Sequence, residues 1–254
     1  MDFRLISKTL AGKLASLKLK KHRDKANVFV AEGTKCVHDT FAYFDLEYLV
    51  ATDKWLNNNN FNGTQNNVFS ASEELLRKIS SLSTPPEVIA FYHRPKLVLD
   101  EERLKKDITL LLDGVQDPGN LGTIIRIADW FGVRQIIASP QSADIYNPKT
   151  VQATMGSISR VNVFYRHLPE FVNHYHDIPI VGLLLDGNNI YDAKLSVPAF
   201  VVMGNEGNGI TDELRKFVTE KLLIPSYPPG EPTGESLNVA IATAITLSEF
   251  RRRQ

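Results

Sequence analysis

The chain has 254 residues, of which 43% are hydrophobic and 23% are charged, and this composition allows a sizeable core and excludes a disordered chain. The single cysteine, Cys36, excludes an internal disulfide and a cysteine-rich zinc site. No apolar run approaches the roughly 18 residues of a membrane span, and residues 1–23 lack the apolar stretch of a secretory signal. We therefore expect a cytoplasmic protein that makes no contact with membranes.

Charge is distributed unevenly, although the whole chain is neutral. Residues 1–25 carry eight basic and two acidic side chains, a net charge of +6. A cationic segment on a neutral protein suits a polyanionic partner such as nucleic acid. A solvated helix face would have the same composition, so charge alone leaves both interpretations open.

Residues 1–95 predict a small alternating α/β domain. Leu10, Leu14 and Leu17 recur at helical spacing, which predicts an amphipathic helix over about residues 7–22. Four strands are then predicted, at NVFVAEG, LEYLVAT, NVFSAS and EVIAFYHR. One helix is predicted at residues 35–44, and another starts at the cap residue Ser72. A polar loop is predicted at residues 57–67. A linker with the charged run DEERLKKD is predicted over residues 96–107.

Residues 108–254 alternate between apolar strands and helices. ITLLLDGV is a continuous apolar run, typical of a strand that is buried on both faces. Further strands are predicted at RQIIAS, VNVFYR, IPIVGLLLD, AFVVMGNE and KLLIPS, and helices at TIIRIADWFG, NPKTVQATMGSISR, LPEFVNHYHD and SLNVAIATAITLSEFRRR. This alternation predicts a parallel α/β sheet with helices on both faces, whose ligands bind beyond the carboxyl ends of the strands.

Polar residues mark three loops at predicted strand ends: QDPGNLG, GNEGNGI, and the stretch from PSYPPGEPTGES to SLN. Asn120 opens a helix that it could cap, and Ser236 is the natural N-cap of the last helix, which Asn238 begins. Arg126 lies in an apolar stretch, where a buried arginine needs a partner such as an internal ion pair. Glu206 lies between glycines after an apolar strand. Each residue alone has a structural explanation, but several polar groups at neighbouring strand ends favour a binding site.

These segments resemble the three motifs of the SpoU (TrmH-like) branch of the SPOUT methyltransferases. LLLDGVQDPGNLGTIIRIADWFGV is similar to motif 1, FVVMGNEGNGI to motif 2, and LLIPSYPPGEPTGESLNVAIATAI to motif 3. The resemblance covers roughly residues 108–252. Before it, NVFVAEG resembles the F-x-x-EG of the L30e-like substrate-binding domain of many ribosomal RNA members.

The resemblance implies a parallel-sheet SPOUT domain with a deep trefoil knot at 108–254, after an L30e-like RNA substrate-binding domain at 1–95. It also implies a homodimer that binds S-adenosylmethionine and transfers its methyl group to a ribose 2′-hydroxyl of RNA, without a metal. By motif position, the catalytic residues are Asn120, Arg126, Glu206, Ser236 and Asn238, and the cofactor-binding residues are Gly204, Ile224, Pro225 and Leu237.

Proton removal from the 2′-hydroxyl needs a base, and the motifs contain no histidine. The family assigns this role to Arg126, although a guanidinium normally stays protonated and would need a low-dielectric pocket beside a sulfonium to lose its proton. The alternative role is to anchor a phosphate. Two departures from the family are the long proline-rich link before Ser236, which would alter the cofactor loop locally, and Ala240, which stands where the family often has serine.

We therefore predict an RNA 2′-O-methyltransferase, and the separate N-terminal domain favours ribosomal RNA as its substrate. The alternatives are a transfer-RNA methyltransferase and a catalytically silent RNA-binding protein of the same fold, and the intact motif residues argue against the silent protein. The N-terminal domain is expected to contact phosphates through Lys13, Lys18, Lys20, Lys21 and Arg23.

Overall fold

The computed structural model describes residues 3–59, 65–228, 231, 234 and 236–253. The chain forms two compact units. The N-terminal unit contains Met1–Lys96 and Tyr146–Ser159, and the C-terminal unit contains Leu97–Ile145 and Arg160–Gln254. Among the described residues, no helix is both long enough and apolar enough to cross a bilayer.

A five-stranded sheet forms the N-terminal unit. Its elements up to residue 93 are β1 (Arg4–Leu5), α1 (Lys8–Ser16), α2 (Lys20–Ala26), β2 (Val28–Glu32), α3 (Thr34–Phe41), β3 (Leu46–Ala51), α4 (Asp53–Asn58), β4 (Val68–Ser70), α5 (Glu73–Ile79) and β5 (Val88–His93). The strand order is β1-β4-β3-β5-β2, and β5 runs antiparallel to both of its neighbours. The predicted alternation is confirmed, and the Ser72 hydroxyl caps α5 as its sequence predicts. The predicted polar loop at 57–67 includes residues 60–64, which lie outside the described residues.

The helix predicted over residues 7–22 is in fact two helices, because the chain turns after Leu17. Leu14 and Leu17 are buried, as their spacing predicts. The Arg23 guanidinium donates hydrogen bonds to the carbonyls of Leu17 and Lys18, at 3.1 and 2.7 Å, which satisfies groups that the end of α1 leaves unpaired. Only 2% of the Arg23 surface is exposed. The prediction that Arg23 contacts phosphate is therefore wrong, because this guanidinium is used inside the unit.

The remaining elements are α6 (Glu101–Leu104), β6 (Ile108–Leu112), α7 (Pro118–Trp130), β7 (Gln135–Ala138), α8 (Pro148–Thr154), β8 (Asn162–Tyr165), α9 (Leu168–His174), β9 (Ile180–Asn189), β10 (Ala199–Met203), α10 (Asp212–Arg215), β11 (Glu220–Leu223) and α11 (Val239–Arg252). The six strands, β6 to β11, form one parallel sheet in the order β11-β9-β10-β6-β7-β8. The predicted parallel α/β sheet is confirmed, and the trefoil knot stays a prediction.

Helix α8 lies in the N-terminal unit, whereas the sequence predicts it in the second domain. Just before it, the Tyr146 ring lies 5.2 Å from the ring of Phe29 and 4.6 Å from the guanidinium of Arg94. Apolar periodicity predicts a helix, but it does not tell which sheet the helix covers.

Most of the predicted linker at 96–107 belongs to the C-terminal unit. The Asp100 carboxylate accepts a hydrogen bond from the Arg103 backbone N–H and caps α6. Leu104 is fully buried, and Leu97 and Leu99 pack against the same core. Burial of these leucines explains why the charged run forms a short helix on this unit rather than a free connection.

The order of the strands positions the three polar loops. β6 and β10 are neighbours with Leu112 opposite Met203, so the loops that follow them start side by side. The third loop follows β11, two strands away from β10. Because all six strands are parallel, the three loops leave the same edge of the sheet.

Candidate active site

Three polar side chains from the three loops form one hydrogen-bonded cluster at this edge. The Asn120 amide Nδ2 donates to Oε1 of Glu206 at 2.9 Å. The Asn238 amide Nδ2 donates to Oδ1 of Asn120 at 3.0 Å. Asn120 thus links two residues that lie 86 and 118 positions away from it in the chain. This is the convergence of strand ends that the sequence predicts.

The helix caps at this edge differ from the predicted ones. Asp117, not Asn120, caps α7, since its Oδ1 accepts from the Asn120 backbone N–H at 2.9 Å. Asn238, not Ser236, caps α11, since its Oδ1 accepts from the N–H groups of residues 240 and 241 at 3.0 and 3.3 Å. The Asn120 side chain is therefore free of a capping role and can bind Glu206 and Asn238.

The loop after β10 is held by hydrogen bonds of its own residues and of the loop after β6. Asn205 donates to the Gly114 carbonyl at 2.7 Å, and its Oδ1 accepts from the N–H groups of Gly207 and Asn208. The Asp113 carboxylate accepts from both the N–H and the hydroxyl of Thr211, each at 2.8 Å. These bonds fix the backbone that carries Glu206.

A cavity of about 710 Å³ opens beside this loop. Its walls come from β9, from the loop after β10, and from the chain between β11 and α11. Of the predicted site residues, five line the cavity: Gly204, Glu206, Ile224, Ser236 and Leu237. Leu185 and Leu237 line it while 75% and 51% of their surfaces stay exposed. The cavity therefore presents apolar surface that a ligand would cover.

Four predicted site residues do not line the cavity: Asn120 and Asn238, which belong to the polar cluster, and Pro225 and Arg126. Pro225 is exposed and does not line it. Arg126 is exposed rather than buried, so it does not need an internal ion pair. Within the described part of the chain, the Arg126 guanidinium has no hydrogen bond or ion pair, and it does not join the Asn120 cluster. Of the long proline-rich link, residues 229, 230, 232, 233 and 235 lie outside the described residues.

Sequence reasoning missed three residues that hold the site in place. Asp113 and Asn205 each follow closely on a buried apolar strand, the same signal that points to Glu206. Asp117 precedes a proline in the first turn of α7, and an acidic or amide residue before such a proline is typical of an N-cap. These signals are present in the sequence at the same edge of the sheet.

The model of the SpoU rRNA Methylase family matches residues 107–248, more than half of the chain. The chain belongs to this family. Residues 12–90 match a second model, described as the MRM3-like substrate binding domain. The SpoU match covers β6 to most of α11 and so includes the cavity and the polar cluster.

The relatives of this SpoU protein are named as RNA methyltransferases. The 23S rRNA (guanosine(2553)-2′-O)-methyltransferase RlmP of Bacillus subtilis is 32% identical over 92% of this chain and 93% of its own length. A solved structure from Porphyromonas gingivalis, assigned to the TrmH family of RNA methyltransferases, is 37% identical with a TM-score of 0.86, covering 98% of this chain and 100% of its own. An AdoMet-bound rRNA methyltransferase from Sinorhizobium meliloti is 29% identical with a TM-score of 0.85, covering 98% and 97%.

Proposed function

We propose that this chain is an S-adenosylmethionine-dependent methyltransferase that acts on a ribose 2′-hydroxyl of ribosomal RNA. The observation that carries the proposal is the Asn120–Glu206–Asn238 cluster next to a ligand-sized cavity, in a chain that matches SpoU rRNA methylases. The Bacillus subtilis relative, which this chain matches over nearly its whole length, is named for this reaction on 23S rRNA.

The cavity fits S-adenosylmethionine in size and in chemistry. Its volume of about 710 Å³ lies within the range of about 300–1,000 Å³ that is typical of small-molecule sites. Leucine side chains give apolar walls for a purine, and the Glu206 carboxylate suits a positively charged ligand. When bound, the cofactor supplies an electrophilic methyl group on a positively charged sulfur. Gly204, Ile224 and Leu237 are the residues that we propose to hold it, with Pro225 near the edge of the site.

The polar cluster is suited to orienting a ribose. Both ends of the Asn120 amide are fixed by neighbours, so the side chain does not have to reorganise when RNA binds. We assign Asn120 and Glu206 to the ribose, Asn238 to holding Asn120, and the Ser236 hydroxyl to completing the site. Arg126, which is exposed on α7, is assigned to an RNA phosphate.

One experiment tests the function directly. The 2′-O-methyl positions of total RNA are mapped in cells with and without the gene, and calorimetry of the purified protein measures S-adenosylmethionine binding. We expect one ribosomal RNA position to lose its methyl group and the protein to bind the cofactor. A lost methyl group on transfer RNA would favour the transfer-RNA alternative. No lost methyl group and no binding at millimolar cofactor would support the catalytically silent alternative.

The N-terminal unit is proposed as the RNA-docking part, in agreement with its match to a substrate binding domain model. Lys13, Lys18, Lys20 and Lys21 are all exposed. Lys20 also pairs with Asp24 at 2.7 Å, an interaction that a phosphate would have to replace. Arg23 is left out because it is buried.

Replacing these four lysines together by glutamine is expected to weaken RNA binding strongly at physiological salt. Removing one lysine–phosphate ion pair should lower the slope of log affinity against log salt by about 0.7–0.9. The matched control replaces four exposed lysines of the C-terminal unit, Lys105, Lys106, Lys194 and Lys216, which makes the same change in net charge. If the N-terminal variant binds RNA with the same affinity and the same salt slope as the control variant, the N-terminal lysines are only a solvated helix face. Cofactor affinity should stay the same in both.

A homodimer, a cytoplasmic location and a trefoil knot complete the proposal. Support for the dimer comes from exposed apolar side chains on α7 and α11, where 85% of Trp130 and 52% of Ile241 is accessible. The single cysteine and the proposed ribosomal RNA substrate favour the cytoplasm.

A further inference from the structure

Strand β9 leaves the sheet beside the cavity and then returns. Gly182 is paired with Val202 of β10 and with Lys221 of β11, but the next residue of β11 pairs with Asn188. Leu183–Gly187, called here the β9 excursion, therefore lies outside both ladders. Four of its residues, Leu183 to Asp186, line the cavity.

The end of the β9 excursion is packed directly on the backbone of β11. A Cβ atom at Gly187 would lie 2.5 Å from the carbonyl carbon of Leu222, so only glycine fits there. The middle of the excursion has less support, since 75% of the Leu185 surface is exposed. Leu184 on one side of it packs against the apolar core, and Asp186 on the other side is held by polar contacts.

Two cations hold the Asp186 carboxylate. Arg215 Nη2 at the end of α10 and Lys221 Nζ on β11 lie 2.7 and 2.8 Å from the same oxygen, Oδ2. The hydrogen bond from Lys221, together with the charge of Arg215, holds the pKa of Asp186 below its ordinary value. Arg215 lines the cavity, whereas Lys221 does not. These ion pairs join the excursion to helix α10 and to strand β11 of the sheet.

We propose that Asp186 is a positioning residue for S-adenosylmethionine: its ion pairs with Arg215 and Lys221 hold the β9 excursion against the bound cofactor. This inference rests on the proposed function. Because Asp186 acts by holding the excursion, its loss should weaken both S-adenosylmethionine and the uncharged-sulfur product S-adenosylhomocysteine. Asp186→Asn also leaves Arg215 and Lys221 unpaired, and their positive charge adds a further loss for S-adenosylmethionine alone.

The test is calorimetry of both ligands on the whole protein and on the Asp186→Asn variant. We expect the variant to bind S-adenosylhomocysteine about three- to fivefold more weakly, the size of effect that exposed ion pairs produce, and to weaken S-adenosylmethionine by at least that factor. The matched control is Asp129→Asn. Asp129 also pairs with two arginines, Arg134 at 2.6 Å and Arg160 at 2.8 Å, but it does not line the cavity, and its variant should bind as the wild type does.

A second variant separates positioning from direct contact. Lys221→Met should weaken S-adenosylhomocysteine by less than Asp186→Asn does, because the Arg215–Asp186 pair remains. The double variant should be no weaker than Asp186→Asn, which already removes both ion pairs. The inference is overturned if Asp186→Asn lowers only the melting temperature, if Lys221→Met leaves affinity unchanged, or if S-adenosylmethionine alone is affected. A wild-type protein that binds neither ligand would instead overturn the proposed function itself.

Discussion

Replacing Arg126 by alanine is expected to lower methyl transfer by about 10²-fold, because the RNA phosphate that Arg126 is proposed to bind would no longer hold the ribose in line with the methyl group. S-adenosylmethionine affinity should stay within a few-fold of the wild type, because Arg126 does not line the cavity. Single-turnover methylation of RNA and calorimetry of the cofactor measure the two effects separately. Arg103→Ala, which changes a half-buried arginine on α6, is the control and should retain turnover.

The Arg126→Lys variant should lose nearly as much methyl-transfer activity as the alanine variant. A guanidinium offers a planar fork that binds phosphate through two bonds, whereas an ammonium is a point charge. A lysine variant with near-normal turnover would exclude any role that requires the guanidinium. A large loss of cofactor affinity in the alanine variant would contradict the assignment of Arg126 to RNA.

Replacing Gly204 by alanine is expected to move the loop that carries Glu206. A Cβ atom there would lie 2.3 Å from the carbonyl carbon of Gly209 and 2.5 Å from the nitrogen of Ile210, both backbone atoms that cannot rotate away. We expect a loss of about 1–3 kcal/mol in the free energy of unfolding, typical of overpacking, and about tenfold weaker cofactor binding or worse. Chemical denaturation and calorimetry check the two expectations.

Gly207 in the same loop provides the matched control for stability. A Cβ atom at Gly207 would lie 3.6 Å from the Asn205 side chain, which is ordinary van der Waals contact. Gly207→Ala should therefore leave the free energy of unfolding nearly unchanged. Equal stability and equal cofactor affinity for Gly204→Ala and the wild type would mean that the loop after β10 adapts, and that Gly204 is not required for its shape.

The sheet of the C-terminal unit is predictable from the sequence because its signals are local. ITLLL and AFVVM are apolar runs that are buried on both faces, and the polar groups that follow them mark the strand ends. Knowing that such ends share one edge is enough to predict that Asn120 and Glu206 come together. The Asn120–Glu206–Asn238 contacts agree with that prediction.

The predictions that were wrong concern the contacts of polar side chains. The sequence predicts a surface cation at Arg23, but this residue binds two carbonyls where α1 ends, and an uninterrupted leucine pattern does not reveal the end of that helix. The apolar neighbours of Arg126 suggest burial, but it projects from a face of α7 that is open. The β9 excursion depends on pairing with two other strands, so no local pattern could reveal it.

Asn238 makes helix initiation and assembly of the active site a single event. Its side-chain oxygen holds the first turn of α11, and its amide nitrogen holds Asn120, 118 residues earlier in the chain. Fraying of that first turn would release Asn120 and remove the orientation of Glu206 without unfolding the sheet. Inactivation by mild heat or denaturant should therefore precede global unfolding, and the earliest structural sign should be faster amide exchange at residues 240 and 241.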